Sequence, residues 1–111
     1  MTTRAQDNNI LVYVTVGSTE EARSIAHAVV ESRFAACANI LPQMTSVYRW
    51  NGSVISDDEC VLLLKTLKSQ FEPLERLVRE MHGYDVPCIV SLPLTNGFQP
   101  FLKWIRDQTQ S

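Results

Sequence analysis

A chain of 111 residues, 45% of them hydrophobic, has room for one domain with a modest single core. Ten Lys and Arg against twelve Asp and Glu give a formal charge of −2 without a charge block, which argues against nucleic acid as partner because phosphate binding wants clustered positive charge. No apolar run approaches the ~20 residues of a membrane helix, so no membrane association is predicted, and the odd, widely spaced Cys37, Cys60 and Cys88 predict free thiols in a reducing, cytoplasmic setting.

Residues 1–9 (MTTRAQDNN) are polar, lack the apolar core of a secretory signal and read as a disordered lead; residues 10–111 read as a single domain. Ile10 to Val16 is a β-branched run with nearly every position apolar, the pattern of a central strand. Gly17 ends it. Ser18 with Glu21 has capping-box spacing, and Ala22, Ile25, Ala26, Val29 and Val30 then recur as the inner stripe of a helix. His27 in that helix has no visible ligand partner and reads as a structural or surface histidine.

The dominant feature is the stretch from Phe34 to Leu67, with Asn51-Gly52 at its middle. That dipeptide tolerates positive φ at both turn positions and predicts a two-residue hairpin. Arms of about 12–15 residues would run roughly 40–50 Å, far beyond the usual strand of about 5–6 residues. Pro42 cannot donate to a ladder and predicts a bulge, bend or edge position. Ser56-Asp57-Asp58-Glu59 reads as a solvated section carrying edge charges. A second helix is predicted from Gln70 to His82, with Pro73 in its first turn and Gly83 as its stop. Pro87 to Leu92 follows as a short strand, and Phe101, Leu102, Trp104 and Ile105 lie on a terminal helix.

The order is βαββαβ plus a C-terminal helix, which predicts an α+β, ferredoxin-like fold with helices on one face of a four-stranded antiparallel sheet. Val61 and Leu63 point opposite to Leu62 and Leu64, so both faces of that sheet are apolar. A second copy of the chain would cover the spare face and the long hairpin's edges together, and self-association is the expectation.

Catalytic signatures are absent: the four glycines make no phosphate loop, and no CxxC or HxxxH pair occurs. Register counted from Asn51-Gly52 places Cys60 opposite about Gln43 and on the order of 20 Å from Cys37. Cys60 and Cys88 read as small buried hydrophobes. The densest polar group is His82-Gly83-Tyr84-Asp85-Val86-Pro87, an imidazole, a phenol and a carboxylate at a helix exit. It reads as turn chemistry around a buried Tyr or as a binding pocket. Without a nucleophile or cofactor motif, His82 and Asp85 support no specific reaction, and no enzyme is predicted.

Ala36-Cys37-Ala38-Asn39-Ile40, Thr45 to Gly52, Leu64-Lys65-Thr66, His82 to Pro87 and Phe101 to Ile105 together resemble the CutA family of divalent-cation tolerance proteins, in order and spacing over about residues 10–106. The resemblance implies a tight homotrimer similar in architecture to the PII signal-transduction proteins, and an association with copper and other divalent metals. It places the metal-linked positions on Cys37 and His82, with Tyr84 and Asp85 beside them; a thiolate with an imidazole suits Cu(I), Zn or another borderline-soft cation. Two departures stand out. Gly83 occupies the motif's proline position and loosens the backbone, and Asp85 replaces its glutamate on a shorter arm. Lys65 and Trp50 also match family positions and would line a cleft between subunits. There Lys65 with Arg49, and Trp50 or Tyr48 as an apolar wall, would suit a small anionic metabolite, the alternative reading being a signalling or scaffold trimer. RNA binding is disfavoured, since the strands lack the aromatic pattern that stacks bases.

Overall fold

In the computed structural model, which describes residues 8–110, the elements are β1 (Asn9–Val16), α1 (Thr19–Glu31), β2 (Cys37–Trp50), β3 (Ser53–Leu67), a 3-10 turn (Lys68–Gln70), α2 (Phe71–Met81), β4 (Ile89–Pro93) and α3 (Gln99–Gln108). The strands form one antiparallel sheet in the order β2-β3-β1-β4. Each β-α-β half therefore leaves a gap that the other half fills, which is the ferredoxin-like interleaving. The reading of residues 1–9 as a lead falls mostly outside the described residues. Asn9 belongs to β1, where it is buried and its side-chain amide donates to the Leu102 carbonyl at 3.3 Å.

β1 is central because it pairs on both sides, with β3 from Asn9↔Leu67 to Val16↔Cys60 and with β4 from Ile10↔Pro93 to Val14↔Ile89. Period-two alternation sends Ile10, Val12, Val14 and Val16 to one face, beside Leu62 and Leu64 of β3. Ala22, Ile25, Ala26 and Val29 of α1 and Leu74 and Val78 of α2 close over that face and complete the main core. Val30, expected on the inner stripe of α1, is exposed. The two helices of the repeat thus share one face, as the topology requires.

The terminal helix does not join them. Ile105 of α3 is fully buried with Ala36, Leu67 and Leu102 in a separate small cluster, and Phe101 lies under the ammonium of Lys65, 5.5 Å from its ring centroid. Lys65 is opposite Leu11 and Cys37, so α3 covers one end of the second face. The rest of that face keeps apolar side chains in the open, Leu41, Val90 and Leu92 each about half exposed.

The hairpin follows the sequence closely. Trp50 pairs with Ser53 across Asn51 and Gly52, whose φ values of 49° and 81° are both left-handed, as a type I′ turn demands. Pairing then runs evenly back to Met44↔Glu59. Between there and Leu41↔Val61 the ladder is offset by one residue at Pro42-Gln43, with Gln43 at φ 62°. Pro42 thus sits in a bulge on an edge strand, both of its expected places.

α1 opens as predicted: Ser18 is extended, and its hydroxyl accepts from the Glu21 N–H at 3.1 Å. Its close carried no glycine signal. Arg33 takes the left-handed position at φ 64°, its N–H donating to the Val30 carbonyl and the N–H of Phe34 to that of Val29. The Arg33 guanidinium then donates to the carbonyls of Asp107 (2.8 Å) and Gln108 (3.1 Å), closing the C-terminus of α3 as well.

α2 starts at Phe71 rather than Gln70 and ends at Met81. Gly83 is not its left-handed stop. His82 leaves the helix at φ −81°, ψ 143°, and Gly52 is the one glycine with positive φ among the described residues. Cys88, expected in a buried strand, is exposed one residue before β4, whereas Cys60 is buried as predicted.

Candidate functional site

The turn after α2 folds back on the β1–α1 corner, and His82 is its pivot. The His82 side chain is fully buried. Its Nε2 lies 2.7 Å from the Thr15 carbonyl, which can only accept, so Nε2 carries the hydrogen. Nδ1 then offers its lone pair to the Tyr84 N–H at 3.0 Å. Both ring nitrogens are engaged, and His82 presents none to a ligand in this geometry.

Tyr84 stacks obliquely on the imidazole, with centroids 4.8 Å apart and planes at 52°. Its phenol reaches the corner of the sheet, where the hydroxyl donates to Glu59 Oε2 at 2.9 Å. A Cβ placed on Gly17 would come within 3.3 Å of that hydroxyl, so the ring lies flush against the end of β1. Burial, and then the Glu59 hydrogen bond, push the phenol pKa up to about 12. It is a neutral donor at physiological pH. Tyr84 is not the buried tyrosine of the simplest turn reading: its N–H is tied to His82 while the residue is about 41% exposed. Along the same face of β3, the Tyr48 hydroxyl donates to Asp57, which raises the Tyr48 pKa. The acidic section of β3 is therefore not merely solvated, since two of its carboxylates hold tyrosines. Asp58 and Glu59, with Gly17, Gln43, Thr45 and Cys60, line an open cavity of about 380 Å³, and Tyr84 touches two of those residues, Gly17 and Glu59.

The expected metal-linked residues do not meet within one chain. His82 is anchored at Thr15, whose row across the sheet is Val61 and Leu41, whereas Cys37 shares a row with Lys65 and Leu11. Four residues of strand, roughly 13 Å, separate those rows before any lateral offset. Cys37 is half-buried, with Sγ 3.8 Å from Asn39 Oδ1. It borders a second groove of about 300 Å³ between α1 and β2, together with Arg23 and His27. Asp85 is exposed in the turn. Among the described residues, no group of three His, Cys, Asp or Glu stands close enough to hold an ion. Cys37, His82 and Asp85 therefore do not fit a metal centre inside one subunit.

Lys65 and Trp50 are likewise apart. Trp50 ends β2 at the hairpin tip and is about 61% exposed, while Lys65 lies near the other end of β3. The residue missed altogether is Glu21. Its spacing from Ser18 announced a cap, but its carboxylate accepts instead from the N–H of Gly83, 62 positions away, and stands 4.0 Å from His82 Nδ1. No local pattern carries that contact.

Comparison with known proteins supplies the family. Residues 10–108 match the CutA1 divalent ion tolerance protein family. The divalent-cation tolerance protein CutA of Thermus thermophilus is 48% identical over 99 residues, covering 89% of this chain and 96% of that one. Human protein CutA is 41% identical over 99 residues, 89% of this chain but 55% of the human one. The chain thus spans just over half the length of that relative and of the chloroplastic Arabidopsis thaliana protein, of which it covers 57%. Among solved structures, CutA1 of Oryza sativa superposes with a TM-score of 0.92 at 37% identity, covering 95% of this chain and 96% of that one. The Thermus thermophilus protein gives 0.90 at 47% identity, covering 92% and 99%. On sequence and fold together, this chain belongs to the CutA1 divalent ion tolerance protein family.

Proposed function

We propose that this chain works as a homotrimer in the cellular response to copper and other divalent cations, as a non-enzymatic protein of the reducing cytoplasm, with a subunit arrangement similar to that of the PII proteins. One observation carries the assembly: an apolar sheet face, covered at one end by α3, lies open beside a hairpin of 14- and 15-residue strands with a free outer edge. Such an edge and face are stable in water when another subunit covers them. The threefold number comes from the family resemblance, and the cation from the name that the Thermus thermophilus relative carries. Three free thiols favour the reducing compartment.

Since Cys37, His82 and Asp85 lie apart within a subunit, a directly held ion would be shared between subunits. Cys37 would be its soft ligand, Asp85 an accessible oxygen donor, and His82 the residue that fixes the turn around them. The same need for two subunits applies to a cleft holding an anionic metabolite between Lys65 and Trp50.

Light scattering on the reduced protein, followed by Cu(I) titration against a competing chelator, tests the reading. The expected results are three times the 12.6 kDa of one chain and an affinity that falls at least about tenfold in Cys37→Ser, the lower end of what losing even a supporting partner of a metal ligand costs. A trimer whose copper affinity is the same with and without Cys37 rejects direct binding at this site and transfers the proposal to the metabolite cleft. A monomer rejects the assembly.

A further inference from the structure

Gly83 is the residue of the turn that its own backbone does not explain. Its φ is not left-handed, so no glycine is demanded by conformation. His82 before it, at φ −81° and ψ 143°, already has the extended geometry that a following proline imposes. What a residue with a side chain would disturb is Glu21: a Cβ on Gly83 would lie 3.1 Å from Glu21 Oε2, and the Gly83 N–H donates to that same oxygen. A proline there would remove the donor and displace the carboxylate together.

Glu21 is also out of its ordinary role. It occupies the third position of α1, and its N–H is taken by Ser18. A glutamate at that position commonly reaches back to the N-cap N–H. Here its carboxylate crosses to the turn after α2 instead.

We propose that Glu21 is a positioning residue for the His82–Pro87 turn. Its carboxylate supplies through one charge-assisted hydrogen bond the rigidity that a proline at 83 would supply covalently, and so sets Tyr84 against Gly17 and Glu59, two residues of the cavity lining. The loose backbone expected of Gly83 is pinned from α1. The mechanism is independent of whether the protein binds a cation or a metabolite.

The two devices substitute for one another, and that is the test. In the full-length protein, amide exchange of Tyr84 reports the turn through its bond to His82 Nδ1, and the Gly83 amide resonance reports the Glu21 bond directly. Glu21→Ala is expected to speed Tyr84 exchange about tenfold or more, as loss of a charge-assisted hydrogen bond implies. Glu21→Gln, which keeps an acceptor oxygen, should restore most of that protection while shifting the Gly83 resonance. Gly83→Pro should leave Tyr84 as protected as in the parent, and adding Glu21→Ala to it should change nothing further. Equal acceleration by Glu21→Ala in the glycine and proline backgrounds would overturn the proposal, as would no acceleration in either. Should Gly83→Pro not fold, the Ala and Gln variants decide alone: equal loss in both, or an unmoved Gly83 resonance, rejects it.

Discussion

At the scale of single residues, two tyrosines act as neutral hydrogen-bond donors to carboxylates of β3. Tyr84 donates to Glu59 and Tyr48 to Asp57. The raised pKa of Tyr84, about 12 against an ordinary 10.0, means that the folded state holds this proton more tightly than the unfolded chain does. The associated stability is fully present below pH 10 and is lost as pH rises through about 12. Tyr84→Phe should therefore melt lower at neutral pH and show a shallower fall in Tm above pH 10. Tyr48, whose pKa is raised in the same direction, adds to the slope that remains. Thermal melts over the alkaline range, with an ultraviolet phenolate titration of parent and variant, check both parts. The site was half legible in the sequence. The cluster from His82 to Asp85 announced itself by composition, but the engagement of both His82 nitrogens rests on Thr15 and on a backbone N–H, which no side-chain pattern encodes.

At the scale of elements, signals confined to a few neighbouring residues were readable and signals across the fold were not. Asn51-Gly52 set the hairpin and its register, and Ser18 set the start of α1, because turn and cap chemistry act within four residues. The end of α1 was hidden because Arg33, a residue with no special taste for positive φ, holds the left-handed position. It is compensated by its guanidinium bonds to α3, which are tertiary. Backbone strain at positive φ predicts that glycine is better tolerated than alanine at both turns. Gly52→Ala adds a Cβ at φ 81°, where it meets no other atom, so it costs only backbone strain of about 1–2 kcal/mol. Arg33→Gly relieves such strain but loses two hydrogen bonds, and should destabilise less than Arg33→Ala, which loses the bonds and keeps the strain. Chemical denaturation of the three variants orders them.

At the scale of the whole molecule, the shape is the argument. The chain extends 51 × 25 × 21 Å with a radius of gyration of 14.9 Å, where a compact domain of this length has about 13 Å. The excess is the hairpin, which leaves Val47, Trp50 and Val54 each more than 60% exposed. If subunits cover them, folding is linked to assembly. Tm should then rise with protein concentration, and removing the hairpin tip around Asn51-Gly52 should yield aggregating chains rather than a soluble trimer. A truncated chain that stays a well-folded soluble monomer would show that the open face needs no cover.

The bulge at Pro42-Gln43 gives that hairpin something like a reading frame. Side chains on a strand alternate, so the single extra residue decides the phase of everything beyond it. With it, Met44, Ser46 and Tyr48 fall on the face of Asp57, Glu59 and Val61, and Tyr48 finds Asp57 while Met44 sulfur accepts from Tyr13. Running the Leu41↔Val61 register straight on, with no residue set aside in a bulge, would put Gln43, Thr45 and Val47 opposite Glu59, Asp57 and Ile55 instead. Lengthening or shortening both arms together at the tip leaves that phase untouched. The hairpin's reach can thus change at its tip while the faces of its arms stay matched through one odd residue more than 20 Å away, at about 3.3 Å per residue.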